Sequence, residues 1–175
     1  NKNRYEDYVL KESREFVVDI GVKLENLAPD ITAIPKIDKS IFRINRDTRF
    51  SKNKDPYKTH LALLLWDGDK KKLENPGFYF HLEPEKLFLG VGMHEFTKPI
   101  LHAYREAVIN PRLGKALKNV ISKVEKTGNY RLGWKKYKRT PQGFEADHER
   151  ADLLLYGGIG FHYEEALPKI VHKPE

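Results

Sequence analysis

Cysteine is absent from this chain, and that one absence removes disulfides, thiolate nucleophiles and cysteine-based zinc sites together. Long apolar runs are missing too. The longest, His60 to Trp66 (HLALLLW), falls far short of the ~20 apolar residues that a spanning helix needs. The opening stretch, NKNRYEDYVLKESREF, is charged throughout and lacks the apolar centre of a secretory signal. A cytoplasmic protein with no membrane partner is therefore expected, and the start at Asn1 without an initiator Met reads as a trimmed or processed chain. No phosphate-binding glycine loop occurs, and Ser13, Ser40, Ser51 and Ser122 sit in no nucleophile elbow. No spacing of three metal donors is present either, so neither a metal nor a cofactor is expected.

What is present suits one folded domain. A chain of 175 residues is long enough to bury about 70% of the surface its unfolded form exposes, and a single α+β domain over 1–175 is the reading. Nine Phe, nine Tyr and two Trp supply enough apolar area to hold a core against the 33% of charged residues. The net charge of +7 favours anionic partners, a phosphate-bearing small molecule or a nucleic acid, by long-range attraction.

The hydrophobic pattern gives an element order. From Asn3 to Leu27, the residues Tyr5, Tyr8, Val9, Phe16, Ile20, Leu24 and Leu27 recur at helical steps, predicting one buried stripe that ends before Pro29. Ile41 to Ile44 reads as a short strand and HLALLLW as a central one. FYFHLE and LFLGVGM alternate around Glu83-Pro84-Glu85-Lys86 as a hairpin. Thr97 caps a helix to about Ile109, and Asn110 caps a second that opens on Pro111, carries Leu113, Ala116, Leu117, Val120, Ile121 and Val124 inward, and ends at Gly128. A short helix from His148 to Tyr156, capped by Asp147, follows a basic loop, and the tail from Ile159 has room for one more strand. The predicted class is α+β, with an antiparallel sheet of three to five strands packed against several helices.

Four groups of side chains carry possible chemistry. Between Phe42 and Lys58, six Lys and Arg face two acids. There Arg49 offers a planar fork, Lys58 a point charge and Tyr57 a hydroxyl and a stacking face, all suited to phosphate or carboxylate. The competing reading pairs Asp47 with Arg49, buries Phe50 and leaves the lysines solvated. On the hairpin, Tyr79, His81 and Glu83 share one face of their strand, and across the turn Phe88, Gly90, Gly92 and His94 share one face of theirs; the glycines mark either close packing or a small ligand. His81 is thus a fourth anion-binding candidate, or a satisfied structural histidine. His148 and Asp152 stand four apart, on one face of the predicted helix, which is weak support for a metal without a third ligand. Arg131 to Arg139 (RLGWKKYKR) holds five cations and no acid. Its residues Trp134, Lys135, Lys136 and Tyr137 have the composition of a nucleic-acid contact, or of a solvated hairpin anchored by its rings.

Three ordered blocks, NRDTRFSKNKDPYK, GFYFHLEPEKLFLGVGM and RTPQGFEADHERADLL, resemble the signature blocks of domain-of-unknown-function family 2461. The matching positions are Asp47, Arg49, Phe50, Ser51, Pro56, Tyr57 and Lys58, then Phe78 to Pro84, then Pro141, Gly143, Phe144, His148, Asp152 and Leu153. The resemblance implies an α+β fold and a bacterial or fungal-type conserved hypothetical protein, and it implies no particular activity. The family's opening helical segment begins before Asn1, and its usual carboxy-terminal helix is not evident after Pro168. The functional reading is a protein that binds an anionic ligand or nucleic acid through a basic surface. The alternative is an enzyme that clamps a phosphorylated or carboxylated substrate with Arg49 and Lys58 and moves protons with His81 or His148. A protein-interaction module is the third class.

Overall fold

The structure, a computed structural model, describes residues 2–168; the carboxy-terminal helix considered after Pro168 lies outside the described residues. The class is α+β. Six strands, β1 (Ile31–Thr32), β2 (Leu61–Asp67), β3 (Gly77–Leu82), β4 (Lys86–Met93), β5 (Arg131–Lys135) and β6 (Tyr156–Ala166), form one sheet in the order β1-β2-β3-β4-β6-β5. The sheet therefore has six strands, where three to five were expected. The chain divides into two compact units, one comprising Asn1–Leu89 and Glu164–Glu175, the other Gly90–Tyr163. Among the described residues no helix is long and apolar enough to cross a membrane.

In the first unit, α1 (Lys2–Tyr5) runs through a π-turn at Glu6–Leu10 into α2 (Lys11–Leu24). The Lys11 amide donates to the Glu6 carbonyl, five residues back, so the π-turn carries one residue more than an α-turn. That extra residue rotates everything after it by about 100° relative to an unbroken helix. The buried stripe is accordingly Leu10, Ser13, Val17 and Gly21. Tyr8 and Leu27, expected inside, are 73% and 77% exposed; an uninterrupted period cannot anticipate a one-residue insertion. Leu10 and Val17 pack on Ile41 and Leu63, with Tyr5, Leu61 and Phe80 around them.

β2 and β3 pair antiparallel with Leu61 opposite Leu82, Ala62 opposite His81 and Leu64 opposite Tyr79. Strand alternation then divides the side chains. Leu61, Leu63 and Phe80 join the core under α2, and Ala62, Tyr79 and His81 take the other face. Ile41, expected to begin a strand, makes only isolated bridges, antiparallel to Leu63 and parallel to Ile37.

In the second unit, α3 (Lys98–Ile109) and α4 (Pro111–Glu125) follow the predicted bounds. The Asn110 side chain accepts from the amides of Arg112 and Leu113 at 3.0 Å each, capping α4 as its sequence predicts. Gly128 takes the left-handed conformation at φ 77°. The inward face of α4 differs from expectation: Leu113 and Val120 are both 53% exposed, whereas Gly114 and Ile121 are buried. A side chain at position 114 would collide with the Val108 carbonyl, so α4 meets α3 along the glycine rather than along Leu113.

The predicted helix from His148 to Tyr156 is not formed. Turns lead into a single 3-10 turn at Leu153–Leu155, and β6 begins at Tyr156. Two features account for this. Arg150 is buried at 5% exposure and donates from Nε to the Val108 carbonyl at 2.7 Å and from Nη2 to the Ile109 carbonyl at 3.2 Å, satisfying acceptors at the end of α3. The glycines that follow let backbones meet: a Cβ on Gly158 would strike the His94 carbonyl, and one on Gly160 the Val91 carbonyl. β5 occupies most of what reads in sequence as a basic loop. Replacing Arg150 with Met would strand both carbonyls, and chemical denaturation should show a loss of about 3 kcal/mol.

Candidate functional site

The face of the sheet opposite α2 in the first unit collects the polar and aromatic groups. Because Leu61 stands opposite Leu82, the next position outward places His60 across from Glu83, diagonal to His81. The small Ala62 opposite His81 leaves room for the two rings to overlap. They stack with centroids 4.2 Å apart and planes 26° from parallel. His81 is held at both nitrogens, its Nδ1 2.9 Å from the Tyr79 hydroxyl and its Nε2 2.8 Å from Glu83 Oε1. His60 makes no hydrogen bond among the described residues. One donor atom each from His60, His81 and Glu83 fits within a 4.8 Å span.

The electrostatics follow from that arrangement. The hydrogen bond from His81 holds the Glu83 carboxyl below its ordinary pKa. Burial, then the charges of His81 and Lys58, push His60 below the usual histidine value. Burial, with the Glu83 charge beside it, raises Tyr79.

Two ammonium groups converge beside this cluster on Phe42. Lys72 Nζ lies 4.0 Å from the centre of the Phe42 ring and Lys58 Nζ 5.9 Å from it; the ring itself meets Tyr79 edge-on at 6.2 Å. Lys58 donates to the Arg43 carbonyl at 3.0 Å, and Lys72 to the carbonyls of Lys39 at 2.7 Å and Asp38 at 3.5 Å. Neither ammonium has a carboxylate ion-pair partner among the described residues. Burial lowers the Lys72 pKa, and the Lys39 and Lys58 charges lower it further against the opposing pull of Asp38. Around the strand ends, Lys58, His60 and Glu83 also line a groove of about 760 Å³, whose walls include Tyr5, Phe16, Leu61, Phe80 and Leu82. The buried Tyr5 hydroxyl has no hydrogen-bond partner among the described residues.

The first sequence block is split by its own turn. Asn45 bridges Tyr57 antiparallel, and the Lys58 amide donates to the Ile44 carbonyl at 2.8 Å, so Lys58 returns to the sheet while residues 46–56 form an outward tip. Arg49 lies in that tip, bound to Asp47 through Nε at 2.9 Å and Nη2 at 2.6 Å, with its guanidinium 5.9 Å from the Phe50 ring. The pairing read from sequence is present. The burial of Phe50 is not, since its side chain is 96% exposed, and the tip offers no core for it to enter. Tyr57 is 54% exposed and makes no ring contact or hydrogen bond with His81 among the described residues; Lys58 reaches the Phe42 ring, which meets Tyr79 beside His81, and Arg49 and Tyr57 do not join them.

The other candidates lie in the second unit. Trp134, at φ 74° in a bulge of β5, meets His94 edge-on at 5.3 Å. Lys136 pairs with Glu95, the Arg105 guanidinium covers Tyr137 at 4.9 Å, and Lys135 is exposed. His148 Nδ1 accepts the Arg150 amide at 3.1 Å, and without the predicted helix Asp152 is not one turn beyond it. Gly92 packs against the backbone of Ile159 and Gly160, so its missing side chain serves strand packing. Sequence reading missed His60, Lys72 and Phe42; the one available signal was the pairing of HLALLLW with FYFHLE, which sets His60 against Glu83 once the register is known.

Fold and site together define an α+β protein with a six-stranded sheet whose face opposite α2 carries a His-His-Glu cluster beside two lysines. The chain belongs to the conserved hypothetical protein family DUF2461, whose sequence profile matches residues 1–173. No curated protein and no solved structure matches it.

An exposed ion pair and a solvated ring contribute little to folding. Arg49→Ala and Phe50→Ala should therefore each leave the thermal midpoint at the wild-type value. A drop of several degrees would show that the tip packs in a way its exposure contradicts.

Proposed function

We propose that this protein binds a small phosphate- or carboxylate-bearing ligand on the sheet face around Phe42, with Lys58 and Lys72 as its cationic contacts. The observation that carries this is the convergence of two ammonium groups on one aromatic ring without a carboxylate partner for either. Like charges held together repel, and an anion between them removes that repulsion while accepting hydrogen bonds from both. Each lysine is already oriented by backbone carbonyls, so less side-chain freedom is lost on binding. Tyr79, Phe42 and Phe88 around the site supply a floor for an organic portion of the ligand.

Calorimetric titration with inorganic phosphate and with a phosphorylated sugar, in the presence of a chelator, tests the reading. Lys58→Ala and Lys72→Ala should each weaken binding about tenfold, the scale of one charge-assisted hydrogen bond, whereas Arg49→Ala should not change it. Equal affinity in all four proteins, or no binding at millimolar ligand, overturns the proposal.

The pH dependence has a defined sign. Lys72 loses its proton at lower pH than an ordinary lysine, and its cationic form is the one that binds. Affinity for sulfate, which does not itself titrate in this range, should fall as pH rises through the lowered Lys72 value, before solvent-exposed lysines begin to deprotonate. In Lys72→Ala this alkaline loss should disappear.

A further inference from the structure

We propose that His60, His81 and Glu83 form a binding site for one first-row divalent transition-metal ion. Two imidazole nitrogens and a carboxylate oxygen are a complete set of three protein ligands for zinc, or for iron in a site that keeps other positions open. The donor atoms are close enough. A metal bonds such atoms at about 2.0–2.2 Å, which puts neighbouring ligands about 3 Å apart. The His81 and Glu83 donors are 2.8 Å apart and all three fit within 4.8 Å, so rotation of the His60 ring and the Glu83 carboxylate is all that closure requires.

The surroundings favour a site over a chance cluster. His81 is already oriented by Tyr79, whose hydroxyl can accept the Nδ1 proton and leave the Nε2 lone pair for the ion, the arrangement usual behind a ligating histidine. His60 has no hydrogen bond to give up among the described residues. All three residues project from neighbouring paired positions of β2 and β3 or the strand ends, a rigid base rather than a loop. The Lys58 charge opposes a cation here, but one carboxylate and two neutral imidazoles leave a bound divalent ion with a net charge of +1. That charge and the lysine together favour an anion in the metal's open positions. The proposal does not rest on the anion reading, because the metal alone is the probe.

Isothermal titration with Zn²⁺, and the visible absorption of bound Co²⁺, decide it. Wild-type protein freed of metal should bind one equivalent, and Zn²⁺ should raise its thermal midpoint. His60→Gln and Glu83→Gln, which leave the apolar face of both strands intact, should abolish the Co²⁺ spectrum and the midpoint shift. Tyr79→Phe should weaken Zn²⁺ binding by about tenfold. His102→Gln serves as the control for adventitious binding, because His102 faces Glu106 one helical turn away at 3.8 Å on the exposed side of α3. Stoichiometric binding that survives in both His60→Gln and Glu83→Gln, or is lost in His102→Gln, overturns the assignment, as does the absence of binding by folded wild-type protein. Loss of phosphate binding in chelator with metal binding intact would overturn only the lysine reading.

Discussion

The pairing register of β2 and β3 is the constraint on which the first unit depends. With Leu61 opposite Leu82 and Ala62 opposite His81, alternation sends Leu61, Leu63 and Phe80 under α2 and leaves His60, His81 and Glu83 on the far side. A slip of one residue would exchange the faces, exposing the leucines and burying two imidazoles and a carboxylate. The hydrophobic cost of that exchange, about 1.5–3 kcal/mol for each large apolar side chain displaced, falls on residues that have no part in the chemistry. The core therefore fixes the site without touching it. The same register explains why Ala62 matters despite having no polar atom: a larger side chain opposite His81 would occupy the space in which the two rings stack.

A basic surface is a weak statement about function until its charges are sorted by what they face. Of the candidate cations, Arg49 has Asp47 and Lys136 has Glu95, and the buried Arg150 has Glu149 together with two backbone carbonyls. Lys58 and Lys72 face carbonyl oxygens, whose partial charge orients an ammonium without neutralising it. The distinction follows from the fold. The segment from Asn45 to Tyr57 folds back on itself, so the residue at its base is drawn onto the sheet and the residues at its tip satisfy one another. Density of charge along the chain singled out the segment, but only its return point lies beside the His-His-Glu cluster.

Much of the fold could be read from the sequence because the relevant signals are local. The Asn110-Pro111 start of α4, the left-handed Gly128 and the hairpin at Glu83-Pro84-Glu85-Lys86 each depend on a few adjacent residues, and each is present. The failures have non-local causes. The π-turn changes the phase of a helix whose apolar spacing looks regular. The segment from His148 to Tyr156 has a helix-like pattern, but the contacts of Arg150 with α3 and the close backbone packing at Gly158 override it. Of the site, His81, Glu83, Tyr79 and Lys58 were legible because they lie in patterned or charged stretches. His60 and Lys72 were not, since one is placed by cross-strand register and the other by a reach to carbonyls more than thirty residues away.

The π-turn bears on the site as well as on the core. By carrying one extra residue between Tyr5 and Leu10, it lets both side chains turn to the same core cluster around Ile41 and Leu63, where a continuous α-helix would turn one of them aside. The groove at the ends of β2 and β3 is walled by residues of this turn and of early α2, while its other side includes Lys58, His60 and Glu83. An apolar cleft thus opens beside a polar cluster, with the strand ends shared between them. A ligand bound through its charged group at the lysines would have an apolar surface within reach, on which the buried Tyr5 hydroxyl, without a hydrogen-bond partner among the described residues, would be available to recognise it. Selectivity among anions would then come from the groove, because two ammonium groups alone distinguish charge far better than shape.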